Sequence, residues 1–190
     1  MRLKKYIYAF LAGMLGILSF APFSYKYLIF LSYAYLIYLL VKSKSFKFKE
    51  VFAWGIGHWG FGMSWIIVSV YYYGDTHIIA ASLIYIILTI ILSLVFTCPL
   101  LITTFINNRT KFNNTFLKII ALSSFLMFSE ISREYLLNGV PWLIPGNIYL
   151  DTISQNIYPY FGASFASLMI YFFCSIIIVY KKNKNVLFIC

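Results

Sequence analysis

The run from Ile78 to Ile106, IIAASLIYIILTIILSLVFTCPLLITTFI, decides the fold class. It contains no charged residue, and a helix needs roughly 20 mostly apolar residues to cross the hydrocarbon of a bilayer. This run is longer than needed. Pro99 predicts a kink near its end, because proline removes a helical hydrogen bond and crowds the preceding turn. Working outward, five more apolar stretches read as helices: about Tyr6 to Phe20, Tyr27 to Val41, Val51 to Tyr71, Phe116 to Leu137 and Pro159 to Tyr180. The first should stop at Ala21-Pro22-Phe23. Arg2, Lys4 and Lys5 ahead of it imitate a signal peptide, but no small-residue cleavage site follows, so the run reads as a retained helix. The expected fold is an all-α, polytopic transmembrane bundle of about six helices.

Composition agrees. The chain of 190 residues is 62% hydrophobic and 21% aromatic, with only 11% charged residues, and its mean hydropathy is +0.86. Soluble domains carry about 25% charged residues, and one of this size could not hide so much apolar surface from water. The net charge of +10 does not indicate a nucleic-acid partner, because the basic residues fall in short clusters between apolar runs rather than on one face. With the N-terminus inside, one side holds Arg2, Lys4, Lys5, Lys42, Lys44, Lys47, Lys49, Arg109, Lys111, Lys118, Lys181, Lys182 and Lys184, and the other only Lys26 and Arg133. Thirteen of the fifteen basic residues on one side is a strong positive-inside bias. It places both termini in the cytoplasm and the 138–157 connection on the outer face. Cys98, Cys174 and Cys190 show no CxxC spacing, so no metal, cofactor or redox motif is expected.

Four groups of residues stand out. GIGHWGFGMSW, Gly55 to Trp65, offers glycines for close helix packing, with His58 as an ionisable group in mid-helix. Trp65 and Tyr72, with Tyr71 and Tyr73, form either an interfacial aromatic belt or a lipid-binding lip. Glu130 and Arg133 are three residues apart on one helix face, which suits an ion pair or a polar anchor for the outer connection. Pro141 and Trp142 lie in that connection, in a turn that reads equally as an ordinary loop or a functional lid. No Ser-His-Asp set, HExxH or phosphate loop is present, and Glu130 to Arg133 has the wrong spacing for an EExxxR membrane protease.

Taken in order, five segments resemble the apolipoprotein N-acyltransferase family. They are Ala21-Pro22-Phe23; GIGHWGFGMSWIIVSVYYYGD at 55–75; Glu130-x-x-Arg133; NGVPWLIPGN at 138–147; and YPYFGASF at 158–165. The family patterns read like SP(Y/F), GxGxFGxGxxWxxVSIxxFGG, ExxRG, TGFPWLxxGYSQ and APxxGVxxxxF. The chain departs from them at Asp75, at Glu134 and at Asn147-Ile148-Tyr149. The resemblance implies that residues 1–184 are the N-terminal transmembrane domain and that 185–190 begin a further, truncated helix. It also implies the family's activity: phospholipid-dependent N-acylation of the N-terminal cysteine of lipoproteins, the last step of their maturation. The catalytic Glu, Lys and Cys belong to a nitrilase-like domain that would follow position 190, so this chain is expected to be inactive alone. Implied partners are the phospholipid bilayer, a lipidated apolipoprotein and a separately encoded nitrilase-like domain; the implied location is the bacterial inner membrane. Trp65, Tyr72, Glu130, Arg133, Pro141 and Trp142 are the residues carried forward as lipid-binding, substrate-binding or structural. The reading from another class is a small membrane carrier or lipid-binding protein, which would need Glu130 and His58 to face a common polar path.

Overall fold

The computed structural model describes residues 2–42, 45–103, 114–136 and 140–187, with side chains described from Leu3 to Lys181 within those limits. Lys44, Arg109, Lys111, Asn138, Gly139, the side chains of Arg2, Lys182 and Lys184, and the end of the apolar tail fall outside this description.

Among the described residues the chain forms α1 (Arg2–Ile17), α2 (Leu28–Lys42), α3 (Phe48–Gly62), α4 (Trp65–Tyr73), α5 (Ile78–Leu100), α6 (Thr115–Leu136) and α7 (Tyr158–Leu187, broken by a kink at Gly162, φ +74°). Two 3-10 turns, Pro145–Tyr149 and Ile153–Ile157, connect α6 to α7. The packing closes into a ring: α1 on α3, α3 on α5, α5 on α6, α6 on α7, α7 on α2 and α2 back on α1.

Two helices of the ring touch backbone to backbone. A Cβ on Gly13 of α1 would lie 2.0 Å from the Trp54 carbonyl oxygen, and one on Gly57 of α3 would lie 2.1 Å from that of Phe10. Only glycine permits this approach, and close backbone contact is how helices associate where lipid removes the hydrophobic drive. The centre of the ring is aromatic. Tyr33 meets Trp54 edge to face at 5.1 Å and Tyr171 at 5.1 Å, while Trp54 stacks on Phe96 at 5.7 Å.

The bundle is solvated as a membrane protein is. On α5 the hydroxyl residues Thr89, Ser93 and Thr97 are buried, whereas Leu83, Ile84, Ile86, Ile87, Ile90 and Ile91 are exposed. In water this pattern would be inverted; in hydrocarbon the apolar face belongs outside. Among the described residues, three helical segments are long and apolar enough to cross a bilayer: Ile78–Leu100, Thr115–Leu136 and Ile153–Lys181. Phe48–Gly62 with Trp65–Tyr73 makes a fourth if the bent pair counts as one span. The two remaining helices, with 16 and 15 residues, are about 24 and 22 Å long at 1.5 Å per residue, short of the roughly 30 Å hydrocarbon. The expectation of about six helices thus resolves into three or four full spans plus two shorter staves.

Three boundaries differ from the sequence reading. The stretch expected as one helix from Val51 to Tyr71 bends by 47° at Met63-Ser64; the Ser64 hydroxyl donates to the Phe61 carbonyl at 3.0 Å there. The first helix ends at Ile17, before Pro22, because 3-10 type bonds from Leu18, Ser19 and Phe20 already tighten the chain. α5 closes at Leu100 with Pro99 in its last turn, Ile102 and Thr103 are helical again, and residues 104–106 of the expected span lie outside the described residues.

Candidate functional site

α6 directs two charged side chains into the bundle. Glu130 is 4% exposed and Arg133 2%. Their spacing suits a mutual ion pair, yet none forms; the ion pair recorded among the described residues joins Lys5 to Glu50 at 2.9 Å, at the other end of the bundle. Each group turns to a neighbour instead. Arg133 Nη1 donates to the carbonyls of Val140 (2.7 Å) and Trp142 (2.8 Å), and its guanidinium lies 5.9 Å from the Trp59 ring. Glu130 Oε2 accepts from the Tyr171 hydroxyl on α7. A buried charge is tolerated only with such partners.

The connection that Arg133 holds is built into the bundle. Leu143 has φ +60°, and its side chain fills the notch left by Gly62: a Cβ there would come within 2.4 Å of Leu143 Cδ1. Ile144, Pro145 and Gly146 are buried. The Gly146 amide donates to Ser167 Oγ at 2.9 Å, and Tyr158 donates to the Gly146 carbonyl at 2.6 Å. Pro141 and Trp142, just before this buried turn, stay outside. Trp142 meets the ring of Trp65 at 5.5 Å and 86°, and both rings are roughly half exposed.

Of the residues singled out in the sequence, Trp65, Arg133, Pro141 and Trp142 thus come together, and Glu130 lies behind them, bonded to α7. Tyr72 is separate: it is 71% exposed and its ring neighbour is Tyr71 at 4.9 Å. His58 belongs to the packing, with Nδ1 3.3 Å from the Gly13 carbonyl oxygen and its ring stacked on Trp54 at 4.8 Å. The reading missed Tyr171, Trp59, Tyr33 and Ser167. Tyr171 could have been flagged, since a tyrosine hydroxyl in mid-span needs a polar partner.

No group of three or more His, Cys, Asp or Glu among the described residues could hold a metal ion. The sulfur of Cys174 is buried and directed at the Phe30 carbonyl, 3.5 Å away. What this end of the bundle offers is a half-exposed aromatic edge carried by a buried arginine. Such rings settle at the boundary between headgroups and hydrocarbon.

The family model described as apolipoprotein N-acyltransferase N-terminal domain matches residues 12–176. Similar curated proteins include the apolipoprotein N-acyltransferase of Pasteurella multocida, 26% identical over 97% of this chain and 36% of that protein. That of Haemophilus ducreyi is 29% identical over 94% of this chain and 34% of its own length. That of Pseudomonas aeruginosa is 30% identical over 87% of this chain and 32% of its own length. The chain therefore spans about a third of the length of the curated relatives it matches.

Proposed function

We propose a function from one premise: the chain belongs to the apolipoprotein N-acyltransferase family, matching its N-terminal domain. On this reading it is the lipid-embedding part of an enzyme that transfers an acyl chain from a phospholipid to the N-terminal cysteine of a lipidated lipoprotein, the last step of lipoprotein maturation. It sits in the bacterial inner membrane with its lysine-rich end and both termini cytoplasmic, and its Pro141-Trp142 connection on the far side. The observation that carries the proposal is the Arg133 clamp. A guanidinium buried in the bundle fixes the backbone at Val140 and Trp142 and so holds the Trp65–Trp142 pair; on this reading the pair lies at the membrane edge where lipid substrates arrive from the side.

This part acts with a nitrilase-like domain that supplies the nucleophile, and has no transferase activity alone. A nucleophile needs a base within hydrogen-bond reach. Here the thiol of Cys174 and the imidazole of His58 are each directed at a backbone carbonyl. The rival carrier reading is less favoured, because His58 and Glu130 are 0% and 4% exposed and are engaged by Gly13 and Tyr171 rather than facing a wet path. The test is an acylation assay of the purified chain with a phospholipid donor and a diacylated lipopeptide. Triacylated product from the chain alone refutes the division of labour; product only after addition of a nitrilase-like domain supports it. Cysteine labelling at position 142 from the cytosolic side refutes the orientation.

A further inference from the structure

The turn after α1 and the connection before α7 meet around a second feature, a pocket of about 290 Å³ lined by both apolar and polar groups. Its walls include Ser19, Lys26, Asn147, Leu150 and Asp151. Along α1 it lies at the opposite end from the Lys5–Glu50 pair. Lys26, half-buried, donates to the Leu150 carbonyl. An ammonium has three donors, and no carboxylate pairs with it among the described residues. Ser19 is 2% exposed, and its hydroxyl has no hydrogen-bond partner among the described residues. Buried polar atoms normally find partners, so this wall offers donors that the protein leaves unanswered. Asn147, also half-buried, adds a side-chain amide.

We propose that this pocket binds a phosphate group, as the phosphodiester of a phospholipid headgroup. A phosphate presents several acceptor oxygens to the lysine and the serine at once, and a charged acceptor strengthens each bond. Asp151 on the same wall offsets the lysine, which suits a monoanionic diester better than a phosphate dianion. The volume admits a headgroup but not acyl chains. Those would run out over Tyr27 and Leu31, which are exposed just beyond Lys26. The proposal rests on the membrane reading above, because only a pocket at the edge of the bilayer meets headgroups.

The test uses the full chain in an uncharged detergent, with ligand binding followed by native mass spectrometry. Three probes are compared: dihexanoyl phosphatidylglycerol, inorganic phosphate, and dihexanoylglycerol, which lacks the phosphate. Phospholipid should bind and dihexanoylglycerol should not. Lys26→Gln, which keeps a donor for Leu150, and Ser19→Ala should each weaken binding about tenfold, the size of one lost charge-assisted contact, while Lys26→Arg retains it. If inorganic phosphate competes at similar concentration, the phosphate assignment stands with free phosphate as its source; if it competes only weakly, the lipid is the source. Equal retention of phospholipid and diacylglycerol, or no effect of either Lys26→Gln or Ser19→Ala, overturns the proposal. Should Lys26→Gln fail to fold, Ser19→Ala decides. A chain that stays dispersed without detergent would instead refute the membrane reading itself, so the two failures are distinct.

Discussion

Arg133 Nη1 donates to the carbonyl of Trp142 at 2.8 Å from a side chain that is itself 2% exposed. The same nitrogen reaches Val140 at 2.7 Å, so one buried cation fixes two points of the connection. Arg133→Ala should cost about 2 to 4 kcal/mol, since hydrogen bonds to charged groups contribute roughly 1.5 to 3 kcal/mol each and the two share a donor. Its sharper effect is local. In detergent, chymotrypsin should cut after Trp142 or Leu143 in Arg133→Ala much faster than in the parent, because the connection opens without global unfolding. Equal cleavage rates would show that the connection is held by its own packing.

The carboxylate on the same helix carries a separate expectation. Tyr171→Phe removes the donor to Glu130 Oε2, the one hydrogen bond of close geometry that the carboxyl makes among the described residues. A buried carboxyl left without its partner is worse than an absent one. Tyr171→Phe should lower stability by about 1 to 3 kcal/mol. In a Glu130→Met background the same change should be much smaller, giving a coupling energy of about 1 kcal/mol or more in a double-mutant cycle of detergent melts. Additive effects would place the cost in packing rather than in the hydrogen bond.

The spans were easier to read from the sequence than the site, for a physical reason. Hydropathy over 20 residues integrates one strong solvent preference, so α5, α6 and the body of α7 stand out whatever surrounds them. The break at Met63-Ser64 does not, because GMSWIIV continues apolar with no proline. Its position coincides with a tertiary contact: Leu143, eighty residues on, occupies the space beside Gly62. Glu130 and Arg133 are a second case. Helical spacing puts them on one face and suggests a pair, but that arithmetic knows only their own helix. The connection and α7 supply competing partners, Trp142 and Tyr171, and a backbone carbonyl cannot be seen in a residue pattern at all. Trp65 and Trp142 were legible as interfacial residues by type, but not as a contacting pair.

Glycine by glycine, the ring makes opposite forecasts within one helix. A methyl at Gly57 would lie 2.1 Å from the Phe10 carbonyl oxygen, whereas at Gly60 the nearest atoms are 3.5 Å away. Gly57→Ala should force α1 and α3 apart and destabilise the protein by about 2 kcal/mol, within the usual range for overpacking. Gly60→Ala should leave the melting temperature in detergent within a degree or so, or raise it slightly through helix propensity. Matching losses at both positions would mean that the α1–α3 contact is looser than described.

The last expectation concerns the solvent itself. Ile87 on α5 is 54% exposed, while Thr89, two residues on, is 5% exposed with no hydrogen-bond partner for its hydroxyl among the described residues. In water, Ile87→Asp would be a harmless change at an exposed site, and Thr89→Val a routine core substitution. In a bilayer the first is severe, because an aspartate near the middle of a span costs about 2.5 to 3.5 kcal/mol on insertion scales. The second should be neutral or mildly stabilising, since it removes an unsatisfied buried hydroxyl at nearly constant volume. Expression of the two variants in bacteria, followed by membrane fractionation, separates the cases. Ile87→Asp should be depleted from the membrane fraction, and Thr89→Val should accumulate there as the parent does. If Ile87→Asp instead reaches the membrane at parental levels, the isoleucine face of α5 is covered by protein rather than by lipid, and the ring of helices is one layer of a larger assembly.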